Sequence, residues 1–372
     1  MVAHRRRSHS PAYSRVPLSV VALLMLALMS WILLLFRVAN RQQGLGQQQQ
    51  QEQRYHHDPR VNNSLKITTT SKKHQRDILA VVGVFTSFLE QPPKRDSFTR
   101  RDALRSTWFP PNEEAIDAMF NKHGIIMRFV LGQQAEPRNE RIERRIDIEE
   151  ERTGSFLRLA HVEDYHALPR KTLKFFHKVS SLFPEALYVI KVDDDVYANV
   201  DRLPQAIRQW EEDRQDYVSC MKTGKIFTDP WQRWYEPQHA LLGAGAFANQ
   251  PPSTQQLYFL HAWGSAYAIS MRAANALSAL AVLDLPMRLL ANEDTTLGLW
   301  MLAMNMRHGD DRRMCEKTCS ETSVIVYDMP KCAGLCHPVS DALHTLHESA
   351  ACHTASGHVL RRTPPYFVLP KV

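Results

Sequence analysis

Short, continuously apolar runs alternate with amphipathic stretches through the middle of the chain. The apolar runs lie at 78–85, 125–131, 156–159 and 187–192. Continuous rather than alternating hydrophobicity is typical of parallel strands that are covered on both faces. Helix-compatible stretches lie between them, at 100–108, 138–152 and 170–182. This alternation predicts right-handed βαβ units and therefore an α/β fold, with a mostly parallel central sheet flanked by helices.

A longer apolar run near the N-terminus, 16–36, predicts a transmembrane helix. Only Pro17, Ser19 and Ser30 interrupt it weakly, and roughly 20 apolar residues are what a helix needs to cross a bilayer. A cleaved signal peptide is the alternative, but the apolar run is longer than a usual signal and no small-residue cleavage site follows it. Four arginines precede the run, which by the positive-inside rule predicts a signal anchor with a cytosolic tail at 1–15.

The segment that follows the apolar run, 37–76, is rich in Gln, Asn, Thr, Lys and His and includes a glutamine tract at 47–51. Such a composition is too polar to bury a core, so we predict a disordered stem there. Its Asn62-Asn63-Ser64 sequence is a glycosylation sequon if the stem is luminal. A single folded domain is predicted over 77–372.

The positive net charge of the chain, +7, belongs to its N-terminal part. Residues 1–76 contain 12 basic and 2 acidic residues, a net of +10, which leaves 34 basic and 37 acidic residues and a net of −3 for the rest. A nearly neutral folded domain argues against nucleic acid as the main partner.

The apolar run at 187–192 ends in three consecutive aspartates, Asp193, Asp194 and Asp195. Adjacent carboxylates repel one another at neutral pH, so they need solvation or a cation. Mg²⁺ and Mn²⁺ prefer oxygen ligands and keep open positions for phosphate oxygens. Ligands of open α/β sheets bind beyond the carboxyl ends of the strands, where this triplet lies. A solvated turn that caps the next helix is the alternative interpretation.

Three stretches together resemble the β-1,3-galactosyltransferase-like glycosyltransferases of family 31, in particular the plant and algal members. They are Arg100 to Trp108, with an Arg-Arg-x-x-x-Arg-x-Thr-Trp pattern, Lys191 to Val196, with Lys-x-Asp-Asp-Asp-Val, and Glu293 to Gly298, with Glu-Asp-x-x-x-Gly. Weaker matches are 164–172, 220–222, 234–237, 264–270 and 330–336. The similarity covers about 77–347, and the joint order of the motifs is its strongest feature.

The resemblance implies a GT-A-like fold and transfer of galactose from UDP-galactose to a glycoprotein or proteoglycan glycan, with inversion and a β-1,3 linkage. It also implies a Mn²⁺ or Mg²⁺ cofactor and a single-pass type II protein of the Golgi membrane whose catalytic domain is luminal. The alternatives are a UDP-N-acetylglucosamine or other UDP-hexose donor, and a catalytically silent sugar-binding Golgi protein.

On the donor side, the resemblance assigns direct metal contact chiefly to Asp195. Asp193 is assigned to the nucleotide ribose or to the metal through water, and Asp194 to the donor sugar. A C-terminal histidine completes the metal site, for which we favour His337 over His308. The backbone at the end of the first strand is expected to hold the uracil ring; it comprises Gly83, Val84, Phe85 and Thr86.

Arg101 and Arg105 are four residues apart and therefore share one face of a helix. Two roles fit this spacing: contact with the donor phosphates, or salt bridges that brace the site.

On the acceptor side, the resemblance points to Asp294 as the general base, with Glu293 as the alternate. The alternative interpretation is that these carboxylates only cap the helix that starts there. Aromatic and glycine residues expected near the acceptor are Trp234, Tyr235, Trp263 and Gly264.

Six cysteines, five of them between 315 and 352, complete the candidate chemistry. In an oxidising lumen we expect disulfides rather than a zinc site, because the pairs lack zinc-ribbon spacing. Six cysteines allow 15 pairings, and the sequence does not select among them.

Overall fold

The computed structural model describes residues 77–91, 95–244, 256–282, 287–328, 331–332, 334–336 and 338–353. The predicted membrane anchor, the stem with its sequon, and His337 lie outside these residues. Within the described ranges, no helix combines the length and the apolar character that a membrane crossing requires.

A seven-stranded sheet forms the centre of the domain. Its strands are β1 (Ala80–Phe85), β2 (Ile125–Gln133), β3 (Phe156–Val162), β4 (Tyr188–Asp193), β5 (Tyr217–Ser219), β6 (Ala266–Ser270) and β7 (His308–Asp310). Their spatial order is β7-β5-β6-β4-β1-β2-β3, and within this sheet only β6 runs antiparallel to its neighbours. The predicted α/β fold with a mostly parallel sheet is therefore confirmed.

Helices cover both faces of the sheet. They are α1 (Ser97–Arg105), α2 (Glu113–His123), α3 (Glu140–Thr153), α4 (Leu168–Leu182), α5 (Leu203–Glu212), α6 (Met271–Val282), α7 (Glu293–Ala303), α8 (Val339–Glu348) and α9 (Ala350–His353). Alternate residues of β1 enter two separate cores: Val82 and Val84 face one core, and Val81 faces the other. Coverage on both faces explains why the central strands are apolar at every position.

Local signals in the sequence set several helix boundaries. The side chain of Asp96 accepts a hydrogen bond from the Phe98 backbone N–H at 3.0 Å, so α1 begins three residues before the predicted start at 100. Asn112 caps α2 and Asn139 caps α3 in the same way. Gly124 ends α2 in a left-handed conformation with φ of 70°, a conformation that glycine adopts without steric cost.

The carboxyl ends of β1 and β4 and the amino end of the antiparallel β6 meet at one edge of the sheet. Phe85 lies opposite Asp193, and Val192 lies opposite Ala266. The backbone N–H of Asp193 donates to the Ser265 carbonyl oxygen at 2.9 Å. This topology brings the aspartate triplet and the Gly264–Ser265 segment together, although about 70 residues of sequence separate them.

All six cysteines form disulfides, as expected in preference to zinc. The pairs are Cys220–Cys315, Cys319–Cys352 and Cys332–Cys336. Among the described residues, the one group of three potential metal ligands with atoms within 4.8 Å of one another is Asp328, Cys332 and Cys336. Because its two sulfurs are bonded to each other, this group offers no thiolate to a metal.

Candidate active site

Asp194 is the anchored member of the aspartate triplet. Its side chain is buried, and its Oδ2 accepts a hydrogen bond from Thr86 Oγ1 at 2.9 Å. Its Oδ1 accepts one from Arg100 Nη1 at 2.6 Å. Both carboxylate oxygens are therefore hydrogen-bonded, one to the residue that follows β1 and the other to α1. Contact between Asp194 and the donor sugar stays a prediction.

Asp195 has a carboxylate without a full set of partners. Its Oδ1 is buried and has no hydrogen-bond partner among the described residues. Burial and the nearby charges of Asp193 and Asp194 raise its pKa to about 7. Gly334 packs directly against it: a Cβ at that position would lie 2.6 Å from the Asp195 carboxylate. Asp195 Oδ1 is therefore a buried carboxylate oxygen that is close to other carboxylates and is poorly neutralised.

Asp193 completes the open side of the triplet. Its Oδ1 lies 2.6 Å from Lys191 Nζ, and burial raises the pKa of its carboxyl. The free oxygens of Asp193 and Asp195 are hard ligands of the kind that Mg²⁺ and Mn²⁺ prefer, and Mg²⁺ is commonly held by two carboxylates plus substrate phosphates. The orphaned Asp195 oxygen fits such a cation.

His308, the alternate to His337 as a metal ligand, lies at the opposite edge of the sheet from the triplet. His308 is the first residue of β7, which runs in the same direction as β5 and β4, whereas Asp193 is the last residue of β4. The two residues therefore lie at opposite ends of parallel strands. Its Nδ1 lies 2.9 Å from the Met306 carbonyl oxygen, and its ring packs edge-on against Tyr217. His308 is therefore excluded from the triplet.

Two of the three arginines of α1, Arg101 and Arg105, bind the carboxylate of Glu149, and the third, Arg100, does not. Arg101 is fully buried and makes two hydrogen bonds, of 2.8 and 2.7 Å, with the carboxylate of Glu149. Arg105 Nη2 lies 2.7 Å from the same carboxylate. These contacts are the salt bridges of the second interpretation, while contact of Arg101 and Arg105 with donor phosphates stays a prediction.

Arg100, which the sequence interpretation passed over, is the arginine that reaches the triplet. Its Nη1 lies 2.6 Å from Asp194 and 3.6 Å from Asp195. The signal was present in the sequence: Phe98, Arg101 and Arg105 follow helical spacing, so they share the face that packs on the core. Arg100 therefore lies on a different face of α1.

The end of β1 is less open than expected for a uracil site. Gly83, Val84 and Phe85 pair with β2 on one side and β4 on the other, so their backbone groups belong to the sheet. A Cβ on Gly83 would lie 2.3 Å from the Phe175 ring, which explains the glycine by packing. Thr86, through its bond to Asp194, is the residue of this stretch that takes part in the site.

Lys191 connects the triplet to the Glu293–Asp294 motif. Its buried ammonium lies 2.6 Å from Asp193 Oδ1 and 3.8 Å from Glu293 Oε2, and it donates to the Gly264 carbonyl oxygen. Glu293 also accepts hydrogen bonds from Tyr267 and from Thr172 Oγ1. Burial raises the pKa of Glu293 to about 7 despite the nearby Lys191. Two distant sequence motifs thus form one site.

Asp294 lies on the more open side of α7, next to two basic side chains. Its Oδ2 is 3.0 Å from Lys222 Nζ and 4.0 Å from His261 Nε2. Burial alone would raise the pKa of Asp294, but Lys222 and His261 hold it below its usual value. A Cβ on Gly264 would lie 3.5 Å from Asp294, so the missing side chain leaves room beside this carboxylate.

The expected acceptor-side residues fall into two places. Gly264 and Trp263 lie beside Asp294, and Lys222 Nζ is 3.8 Å from the centre of the Trp263 ring. Trp234 and Tyr235 lie in a surface loop, where Trp234 packs 5.8 Å from Phe227. The sequence did not identify Lys222 and His261 as site residues, because only their contacts with Asp294 in the folded chain indicate a role.

Comparison with known sequences identifies what this arrangement is similar to. The model of the galactosyltransferase family matches residues 99–312. Probable beta-1,3-galactosyltransferase 12 of Arabidopsis thaliana is 39% identical over 278 residues, which cover 75% of this chain and 68% of the relative. Probable beta-1,3-galactosyltransferase 13 of the same plant is 37% identical over 281 residues, covering 76% and 74%.

A solved structure with some likeness to the chain is a glycosyltransferase involved in the glycosylation of the major capsid of PBCV-1. The likeness covers 71% of this chain and 99% of that one, at 11% identity and a TM-score of 0.34. Similarity at this level carries no inference about the site.

Proposed function

Because the chain belongs to the galactosyltransferase family and is therefore a glycosyltransferase, we propose that it transfers galactose from UDP-galactose to a hydroxyl group of a glycan. The transfer inverts the anomeric carbon and forms a β-1,3 linkage, on a glycan carried by a glycoprotein or proteoglycan. The names of the Arabidopsis relatives support both the sugar and the linkage. The mostly parallel sheet, with the site at its carboxyl edge, supports a GT-A-like arrangement.

One observation carries the proposal: Lys191 joins the aspartate triplet to the Glu293–Asp294 motif within a single site. A transferase that moves a sugar from a diphosphate needs positive charge near the leaving group and a base near the acceptor hydroxyl. The aspartate triplet would hold the cation that supplies the positive charge, and the Glu293–Asp294 motif supplies the base, on either side of Gly264.

On the donor side, Asp193 and Asp195 are the residues that would hold Mn²⁺ or Mg²⁺, and we propose His337 as a further ligand. When bound, such a cation acts as a Lewis acid that stabilises the negative charge on the departing diphosphate. Arg100 and Thr86 fix Asp194 and, through it, the backbone of the triplet. Lys191 keeps the Asp193 carboxylate oriented and partly neutralised.

On the acceptor side, Asp294 is the proposed general base. Its lowered pKa keeps it ionised, and its side chain is less buried than that of Glu293, whose Oε1 already accepts bonds from both Tyr267 and Thr172. As the acceptor oxygen forms its bond to the anomeric carbon, the bond to the diphosphate oxygen breaks and its electron pair leaves with UDP. The hydroxyl proton passes to the carboxylate of Asp294.

We propose that the chain is a single-pass type II protein of the Golgi membrane, with 1–15 cytosolic, 16–36 in the membrane, 37–76 as a stem and 77–372 luminal. The apolar run at 16–36 supports the anchor. Three disulfides support an oxidising compartment for the folded domain.

The test is a donor panel. The purified full-length chain is incubated with UDP-galactose, UDP-N-acetylglucosamine or UDP-glucose, with Mn²⁺ or with a chelator, and with galactoside acceptors. We expect metal-dependent transfer from UDP-galactose, and a β-1,3 linkage in the isolated product. Preference for another UDP-sugar would contradict the donor assignment. Binding of UDP-sugars without transfer or hydrolysis would indicate a silent sugar-binding protein.

A further inference from the structure

An irregular antiparallel ribbon leads away from the candidate base. It begins with the paired segments Met221–Lys222 and His261–Ala262, where Lys222 and His261 flank Asp294. It continues through a bridge between Lys225 and Leu257. The five steps from residue 222 to residue 227 span at most roughly 17 Å in extended conformation. The ribbon therefore connects the acceptor side of the site with the residues that follow Lys225.

Aromatic side chains cluster at the far end of this ribbon. We call the set formed by Tyr165, Phe227, Trp231, Arg233 and Trp234 the aromatic platform. The Arg233 guanidinium lies 5.5 Å from the Trp234 ring centre and 6.0 Å from that of Tyr165. Trp234 also packs 5.8 Å from Phe227. Trp231 is 94% exposed, the highest value among the exposed large hydrophobic residues of the described chain.

The loop that carries Trp231 is held by hydrogen bonds of its own. The backbone N–H of Trp231 donates to Asp229 Oδ1 at 3.0 Å, and that of Gln232 donates to the Asp229 carbonyl oxygen at 3.0 Å. The loop returns to the ribbon through Glu236, whose backbone N–H donates to the Phe227 carbonyl oxygen at 2.9 Å. The backbone of the loop is therefore held in place before binding, so less loop entropy is lost when a ligand contacts the exposed indole.

We propose that the aromatic platform binds sugar units of the acceptor chain beyond the unit that receives the new galactose. This rests on the proposed function, since it assumes a glycan acceptor at Asp294. Aromatic faces flanked by polar groups suit pyranose rings, which present C–H groups on their faces and hydroxyls at their edges. Here the Arg233 guanidinium lies over the Trp234 and Tyr165 rings, and Lys225 Nζ lies 6.0 Å from the centre of the Phe227 ring, so charged donors for sugar hydroxyls flank the aromatic faces.

The test measures how acceptor length affects kinetics. Wild type and Trp231→Ala are compared on β-galactosides one to five sugars long with the same reducing-end label. We expect wild-type KM to fall as the acceptor grows. Trp231→Ala should raise KM for the longest acceptor about 5- to 10-fold, with kcat and the monosaccharide KM unchanged. Ile148→Ala, which truncates an exposed apolar side chain on α3, is the matched control and should leave every value unchanged.

Binding is also measured without turnover, by saturation-transfer NMR of the pentasaccharide. We expect its signal with wild type and a weaker one with Trp231→Ala. Equal KM values for both proteins at every acceptor length would overturn the platform while leaving galactosyl transfer intact. An effect confined to glycopeptides, with none on free oligosaccharides, would also overturn it and would indicate a peptide contact. If no acceptor is galactosylated, the proposed function fails, and the NMR comparison then decides the platform separately.

Discussion

Asp195 and Asp294 are aspartates of one site whose surroundings push their pKa values in opposite directions. Asp195 is crowded by two other carboxylates, and burial together with those charges raises its pKa to about 7. Asp294 faces Lys222 and His261, and its pKa is lowered in spite of burial. The donor side therefore has fewer positive charges than carboxylates, with Arg100 and Lys191 beside three aspartates, whereas on the acceptor side Lys222 lies beside Asp294.

The contrast explains how one residue type serves two purposes. A carboxylate cluster that is short of positive charge attracts a cation, and with it a diphosphate. A carboxylate already neutralised by basic side chains stays ionised and available to take a proton. Gly264 lies between the two sides, its carbonyl bound to Lys191 and its missing side chain next to Asp294.

The largest effect is expected on the acceptor side. Asp294→Asn keeps the shape of the side chain but removes the base, and should lower kcat by ~10³-fold, with donor affinity unchanged. Steady-state transfer assays and UDP-galactose titration measure the two quantities. Asp213→Asn, at an exposed position after α5, is the control. If Glu293→Gln abolishes transfer while Asp294→Asn keeps more than a tenth of it, the base assignment is wrong.

On the donor side, Asp195→Asn should lower transfer about 10²-fold, since metal stabilisation of the leaving group is worth several kcal/mol. It also removes one of three crowded charges. The metal-free variant should therefore melt about 2–4 °C above wild type, and Mn²⁺ should no longer raise its Tm. A Tm below that of wild type, with the Mn²⁺ response retained, would show that the triplet is structural.

A smaller effect, a change in the pH dependence of kcat/KM, is expected when Lys222 is substituted. Because the proposed base Asp294 acts when ionised, we expect transfer above its folded pKa and a loss of transfer as the pH falls through that value. Lys222→Met removes a cation that lowers this pKa, so the acid limb of kcat/KM should move to higher pH, with a loss of about tenfold at the acidic end. Lys317→Met, at another exposed lysine, is the control. An unchanged acid limb in Lys222→Met would contradict the proposed electrostatic role.

The smallest kinetic effect is expected at Arg101. Arg101→Lys breaks the two-bond pair with Glu149 and should lower the free energy of unfolding by on the order of 3 kcal/mol. Transfer per folded molecule and donor KM should stay within about twofold of wild type. Denaturant unfolding and donor titration measure these. A raised donor KM with normal stability would restore the donor-contact interpretation of Arg101.

Much of this architecture could be predicted from sequence because its signals are local. Continuous apolar runs marked the central strands, and the Asp193–Asp195 and Glu293–Asp294 motifs marked both halves of the site. What the sequence left open depended on contacts between distant segments. Arg101 and Arg105 were correctly placed on one helix face, but that face turned out to pack on Glu149. Asp194 is distinguished from Asp193 and Asp195 by its hydrogen bonds to Thr86 and Arg100, which the sequence does not show.

The sequence by itself determined the alternation of strands and helices, the family and the two acidic motifs, because hydrophobic periodicity and motif order are properties of neighbouring residues. The tertiary structure alone decided which basic side chain meets which carboxylate: Arg100 and Lys191 at the triplet, Lys222 and His261 at Asp294. The charge balance of each carboxylate depends on side chains that the sheet topology brings together from distant parts of the chain, and so does its pKa.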